Sequence, residues 1–508
     1  MTPTTPEIRH LRRWAGLALV MVAALGLLAD LGGLSLRQWD EARMAVSALE
    51  MTRSGNYLVA TFGGVPDLWN TKPPLLLWLQ AGLLQLLGPT EWAVRLPSAL
   101  AALAVLGLVY WVMARFLRRP VGALLAVSVL LSTLGFIGKH HAHTGDYDAL
   151  LTLAELTLGL SVLLVLETGR PGWWVGVGAG LVVGGLTKGV AILLPLPGLA
   201  IYCLLQPKGR QLLRQPGFWL VALVWAALMV GWYLLREHQA PGYWAAVNAN
   251  ELGGRFGHVL ENHQEPWYYY LARLVQAKFL PWVFLLPLVL PFALRHPDGR
   301  ARRLAWLALS WALGLLLVLS LSRTKIDWYM APAYPWLALL VGLGGPRLAT
   351  WLLGRVRGGV GRLGLRLLLL ALLLVPPFIT IGIEQRNNWQ EDGEELRVGY
   401  GLRALRAEPR PPQPLAVVAA PGFYQALRPI TAEHGHVGYD ASLRFYVETY
   451  PGPVRVVSPA EAPQLRGPGY VLTATAADSV LMRLALPHAV PRAAGRQACW
   501  LWALPPSR

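Results

Sequence analysis

The sequence is short of charge. Asp, Glu, Lys and Arg make up only 14% of its 508 residues, while 55% are apolar and the mean hydropathy is +0.42. A soluble chain of this length needs a larger polar surface, so that class is excluded. Cysteine is nearly absent. Cys203 falls inside an apolar block and Cys499 near the C-terminus, so the pair supplies no disulfide framework. The apolar blocks, such as 96–112 and 367–375, lack the alternation of a membrane β-barrel strand. The first apolar segment lacks a small-residue cleavage site, so it reads as a span and not as a removed signal peptide. No internal repeat is visible, and the repeated halves frequent in transporters are missing with it.

What is present is a set of long apolar blocks. A bilayer core about 30 Å thick takes on the order of 20 helical residues to cross. Backbone groups in lipid must be paired within the segment, so these blocks are helices. Hydropathy and charged breaks predict about 11 spans, near 14–32, 96–114, 120–138, 147–167, 172–187, 189–206, 218–235, 279–294, 304–321, 328–344 and 367–384. Basic residues exceed acidic ones by 17 and gather in alternate loops. Arg9, Arg12 and Arg13, then Arg118 and Arg119, then Lys208, Arg210 and Arg214, then Arg300, Arg302 and Arg303 mark one side. Arg347, Arg355, Arg357, Arg362 and Arg366 continue the pattern. By the positive-inside rule that side is cytoplasmic, in the inner membrane of a cell envelope. Topology and anionic headgroups account for the pI of about 10.2, so nucleic acid is not called as a partner.

With that sidedness the long loops 33–95 and 236–278, and the tail 385–508, lie outside. In the first loop, 40–53 has helical composition and Asp40 can cap its start. The run 73–87 is too short to span and reads as a proline-initiated interfacial helix. The second loop is rich in aromatics suited to the headgroup level, among them Trp244, Trp267 and Tyr268. In the tail, 414–420, 454–457 and 470–473 read as short strands of a small soluble α/β domain of roughly 120 residues. The expected division is a transmembrane domain over 1–384 and a soluble extracytoplasmic domain over 385–508.

Ionisable residues in or at a membrane are costly and carry a functional prior. Here they collect at the outer mouths of the spans. Asp40 and Glu41 are adjacent, with Arg43 one helical turn after Asp40. This reads either as a general base held ionised beside an anion-binding cation or as a charged, capped helix start. Lys72 precedes the 73–87 helix, where lysine and helix dipole both favour phosphate; the bland reading is a snorkelling lysine. His140, His141 and His143 with Asp146 and Asp148 offer metal ligands or helix caps. Lys188 interrupts an apolar stretch, and Lys325 and Tyr329 stand at another outer mouth beside Pro332 and Pro335.

These residues occur in an order with a resemblance. Asp-Glu-x-Arg at 40–43, Lys-Pro-Pro-Leu at 72–75, Arg-Leu-Pro-Ser at 95–98, the helix start at Asp148 and Thr-Lys-Gly at 187–189 come first. Arg255-Phe, His263 ahead of Pro-Trp-Tyr-Tyr-Tyr, Pro281-Trp and Thr-Lys-x-x-Trp-Tyr-x-x-Pro-x-Tyr-Pro at 324–335 follow. Over roughly 1–340 the chain resembles the bacterial branch of the dolichyl-phosphate-mannose protein mannosyltransferase family, which includes the aminoarabinose transferases that modify lipid A. The resemblance implies an all-α polytopic GT-C glycosyltransferase fold and a polyprenyl-phosphate-sugar donor, with no nucleotide sugar at the site. It implies transfer on the external face to a hydroxyl or phosphate of a glycolipid, a lipid A-like molecule or a protein. Asp40 matches the family's essential acid and Asp148 its second acid, with Glu41 as neighbour. Arg43, Lys72 and Tyr329 match residues that hold the donor phosphate, and Lys325 is placed to join them. Lys188, Arg255 and His263 are further candidates. The aminoarabinose transferases carry Glu just before Lys-Pro-Pro, implicated in divalent-metal binding with a histidine that matches His263; here that place is Thr71.

The implied chemistry is one displacement at the anomeric carbon. The cations stabilise the departing lipid phosphate and Asp40 takes the acceptor proton, so the configuration inverts. The rival from another class is a lipid or glycolipid flippase. It would place its charges along the midplane, and radiolabelled transfer from a polyprenyl-phosphate donor separates the two.

Overall fold

The computed structural model describes residues 21–504 apart from 24, 39, 260–262, 391–393, 420–440, 488–489 and 495–498. The chain divides into two compact units. The first comprises 1–29, 71–76 and 95–385, and the second 30–70, 77–94 and 386–508. The first external loop is therefore shared: the segment that carries Lys72 belongs to the first unit, and most of the rest to the second.

The first unit is helical, as its apolar blocks require. Among the described residues seven helices are long and apolar enough to cross a membrane: Glu91–Phe116, Asp148–Thr168, Trp173–Leu193, Pro216–Gln239, Gly299–Leu321, Asp327–Arg355 and Gly359–Asn388. Each corresponds to a span expected from hydropathy. Tyr269–Lys278 and Trp282–Leu294 are long and apolar enough only when taken together, and the pair is bent by 109°, the geometry of a broken span or a re-entrant loop. Two expected spans are shorter helices, Pro120–Leu131 and Leu196–Leu205. At about 1.5 Å per residue neither reaches across a 30 Å core by itself. The first of them stops at Ser132, whose hydroxyl turns back to the Ser128 carbonyl. The second is shortened because the preceding span continues through Gly189, a left-handed glycine, as far as Leu193. The span expected at 14–32 lies largely outside the described residues.

Apolar residues that face outward on the 216–239 helix, such as Leu220, Leu223 and Leu234, are left for lipid. Inside, the Trp311 and Trp336 rings stack with centroids 4.9 Å apart. Gly198 and Gly314 let two helices touch backbone to backbone, where a Cβ on either would overlap the facing chain. The two ends of the unit differ in charge. At one end Arg303 grips Glu167 with its guanidinium fork and Arg119 meets Asp298, within the basic loops. Asp148 stands at the opposite end of the helix that carries Glu167.

The second unit is α/β. Strands Val454–Val457, Leu415–Val418 and Tyr470–Thr473 run parallel in that spatial order, and Trp500–Ala503 and Arg492–Ala493 add antiparallel neighbours. The first three match the β-rich runs of the tail. Val418, Val471 and Trp502 pack with Met482 of the 476–485 helix as the core. The loop helix Asp40–Ser54 belongs here as well: Glu50 accepts from the Gly63 and Gly64 amides and faces Arg444 at 3.6 Å. Glu91 takes the Tyr446 hydroxyl at 2.6 Å and Arg403 at 3.1 Å.

Candidate active site

The end of the first unit opposite the basic loops holds a buried ion pair. Asp148 is the first residue of its helix, a position that suggests a cap. Its carboxylate instead accepts from the Lys188 ammonium at 2.7 Å, with Asp148 1% and Lys188 7% exposed. The amide of Tyr147 is met by Asp146. Lys188 closes the 173–188 helix and lies 4.6 Å from the centre of the Tyr329 ring. The second Asp148 oxygen has no hydrogen-bond partner among the described residues. A buried carboxylate with one open oxygen beside a buried ammonium is an arrangement that a polar ligand completes.

That pair lines a cleft open to solvent. Asp148, Lys188, Glu251, Ser322 and Tyr329 supply polar groups, while Leu151, Val190, Leu194, Leu315 and Leu319 make an apolar wall. Glu155 also lines it, two helical turns beyond Asp148 on the same face. One Glu155 oxygen accepts from the Trp311 indole at 3.3 Å, and the other has no partner among the described residues. Lys325 adjoins this end and donates to the Ser322 carbonyl. Burial lowers its pKa from the usual lysine range, against the pull of Glu265.

Lys72 reaches the same region. Its ammonium lies 3.5 Å from Glu251 and 5.7 Å from the centre of the Tyr147 ring. Thr71 donates its hydroxyl to the same Glu251 carboxylate at 2.9 Å. This bears on the metal reading. The Glu251 oxygen nearest to Thr71 already faces a lysine ammonium, which repels a divalent cation, and His263 is exposed. The donor set around Thr71 does not fit a metal.

The three histidines diverge. His140 pairs with Asp146 at 2.9 Å and stacks on Trp328 at 3.6 Å. His141 meets the Thr152 hydroxyl at 3.1 Å, and His143 meets the Gly26 carbonyl at 2.8 Å. Burial lowers His141 to about 4, which leaves it neutral at pH 7. Burial pushes Asp146 upward, but its hydrogen bond to His140 and the charges of His140 and Lys188 outweigh this and hold it below the usual carboxylate range.

The remaining candidates lie in the second unit or outside this cluster. Asp40 opens its helix, and Glu41 accepts from the Arg37 amide at 2.9 Å, as a helix-start carboxylate does. Arg43, expected to hold Asp40 ionised and to face a phosphate, gives its guanidinium fork to Asp67 at 2.9 and 2.8 Å. Asp67 presents both carboxylate oxygens to the planar fork, the bidentate geometry that suits arginine best. His263 engages Lys325 through its backbone carbonyl at 3.1 Å. The side chain of Arg255 lies outside the described residues. Sequence reasoning thus singled out Asp148, Lys188 and Tyr329, which meet in one cleft, and Lys72 beside them. It passed over Glu251, Glu155 and Asp67. Glu155 carried a signal, an acid inside an apolar span; Glu251 and Asp67 carried none.

Residues 71–234 match the family described as dolichyl-phosphate-mannose-protein mannosyltransferase. The undecaprenyl phosphate-alpha-4-amino-4-deoxy-L-arabinose arabinosyl transferase 1 of Pseudomonas fluorescens Pf0-1 is 30% identical over 67% of this chain and 59% of its own. The corresponding transferase of Pseudomonas aeruginosa UCBPP-PA14 is 32% identical over 71% of this chain and 65% of its own. The chain thus spans about three fifths of the length of such relatives, 59% in the first case. Among solved structures, ArnT from Cupriavidus metallidurans bound to undecaprenyl phosphate has a TM-score of 0.64 at 20% identity, covering 97% of this chain and 99% of that one. The oligosaccharyltransferase of Archaeoglobus fulgidus gives 0.52 at 10% identity, covering 92% and 70%.

Proposed function

We propose a lipid-linked glycosyl transfer for this chain, which belongs to the dolichyl-phosphate-mannose-protein mannosyltransferase family and has the GT-C fold of a polytopic membrane protein. The donor is a sugar, pentose or hexose, on a polyprenyl phosphate such as undecaprenyl phosphate. The acceptor is a hydroxyl or phosphate of a glycolipid, a lipid A-like molecule or a protein. The observation that carries this reading is the amphiphilic cleft. Its polar end holds Lys188 with Asp148 and Tyr329, and its wall is apolar. A prenyl phosphate has that polarity: an anionic head for the lysines and a chain for the leucines and valines.

In the reaction the acceptor oxygen attacks the anomeric carbon. The carbon–oxygen bond to the carrier breaks, and its electron pair stays on the phosphate, which gains one negative charge. Lys188 and Lys72 stabilise that charge as it forms. The acceptor proton passes to a carboxylate, the role that the family resemblance gives to Asp40 with Glu41 as neighbour. A single displacement inverts the anomeric centre.

The test is transfer of radiolabelled sugar from a polyprenyl-phosphate donor to envelope glycolipid by the purified protein in detergent. Lys72→Ala is expected to raise the donor KM strongly, since loss of one partner in a desolvated charge pair is worth about 2–5 kcal/mol. Unchanged KM and turnover would leave Lys72 a snorkelling residue.

The same reading sets the site and the tail on the extracytoplasmic side of the inner membrane, from the basic loops at the other end of the spans. A periplasm-active reporter joined after Arg508 is expected to be active. Activity of a cytoplasm-only reporter at that position would reverse the orientation.

A further inference from the structure

Two of the lysines at the cleft already have a carboxylate. Lys188 is held by Asp148 at 2.7 Å, and Lys72 faces Glu251 at 3.5 Å. Glu251 is fixed from a second direction by the Thr71 hydroxyl at 2.9 Å, and it lines the cleft itself. It belongs to the turn Asn248–Leu252, far in sequence from the residues that it meets. A phosphate oxygen that takes the Lys72 ammonium at an ordinary charge-assisted distance of about 2.8 Å comes within roughly 6 Å of that carboxylate. Its charge is then felt by Glu251.

The two lipids of the reaction differ in that charge. The donor is a phosphodiester with one negative charge, and the spent carrier is a phosphomonoester with about −1.5 to −2 at pH 7. We infer that Glu251 is a selectivity residue of the donor site: its carboxylate, set against Lys72 by Thr71, tolerates the singly charged phosphodiester and disfavours the spent phosphomonoester. The inference rests on the proposed donor cleft. It gives the cleft a means of releasing product after the leaving phosphate has gained its second charge. Lys72 holds the charge as it develops, and Glu251 limits how tightly the finished product stays.

The experiment measures binding of two short-chain probes, farnesyl phosphate and its methyl diester, to the purified full-length protein in detergent at pH 8. The parent protein is expected to bind the diester at least as tightly as the monoester. Glu251→Gln should strengthen monoester binding about tenfold, in line with removal of one partly buried like charge, and diester binding only about threefold, in proportion to its single charge. Glu251→Asp, which withdraws the carboxylate but keeps its charge, should fall between. Inhibition of transfer by farnesyl phosphate should deepen in the same order. If the parent binds both probes and Glu251→Gln changes them equally or not at all, the selectivity role is overturned while the donor cleft stands. If the parent binds neither probe, the donor cleft falls and this inference with it. Should the glutamine variant not fold, the ratio of the two affinities in Glu251→Asp and Thr71→Val decides: an unchanged ratio in both overturns the role.

Discussion

Lys188→Met is expected to abolish donor binding and to destabilise the first unit. The change leaves Asp148, 1% exposed and with one oxygen already lacking a partner among the described residues, without its cation. Breaking one side of a buried pair costs about 3–5 kcal/mol because the remaining charge stays desolvated. The double variant Asp148→Asn with Lys188→Met removes both charges, so most of that stability should return. Transfer should not return, because the cleft then lacks its buried cation. The readouts are the detergent Tm and prenyl-phosphate binding, taken side by side for parent, single and double variants. A double variant that regains both stability and transfer would make the pair a structural strut. A single variant with parental Tm and affinity would mean that the pair contributes nothing.

For Asp40→Asn the expected result is a fall in turnover of about 10²–10⁴ with donor binding retained, the range that general-base help commands. The substitution keeps the shape and removes the basic oxygen. Glu41→Gln should act differently, because Glu41 accepts the Arg37 amide at the start of the helix. Its loss should appear in stability, at about 0.5–2 kcal/mol as for a helix cap, more than in turnover. Asp148→Asn should weaken donor use, since it frees Lys188 from its hold. Single-turnover transfer and donor binding in the three purified variants separate these roles. Near-parental transfer by Asp40→Asn would remove it as the base. A loss confined to Asp148→Asn would move the proton-accepting role there.

Arg43 shows where local reasoning stops. Spacing sets it one turn from Asp40, and on an isolated helix that neighbour is its natural partner. In the folded unit Asp67 offers both carboxylate oxygens to the guanidinium, and the bidentate match wins. Asp148 is a parallel case. Its place at a helix start predicts a cap, yet a lysine 40 residues away takes the carboxylate.

What the sequence by itself determined about this protein is its membrane class, most of its helices and the end of the spans at which ionisable residues gather. Lipid enforces long apolar runs with internally paired backbones, and that demand is written residue by residue in hydropathy. The strands at 454–457 and 470–473 were legible for a similar reason, as short β-branched runs between Pro and Gly turns. Motif order was legible as well, and it singles out Asp148, Lys188 and Tyr329, which the fold brings together. Only the tertiary structure decided which charges are partners. The Lys72–Glu251 and Thr71–Glu251 contacts join positions about 180 residues apart, and no periodicity encodes such an encounter. It also decided that the 120–131 and 196–205 helices stop short: a serine turned back on its own helix ends the first, and the preceding span, which runs on through Gly189 to Leu193, takes up the expected start of the second.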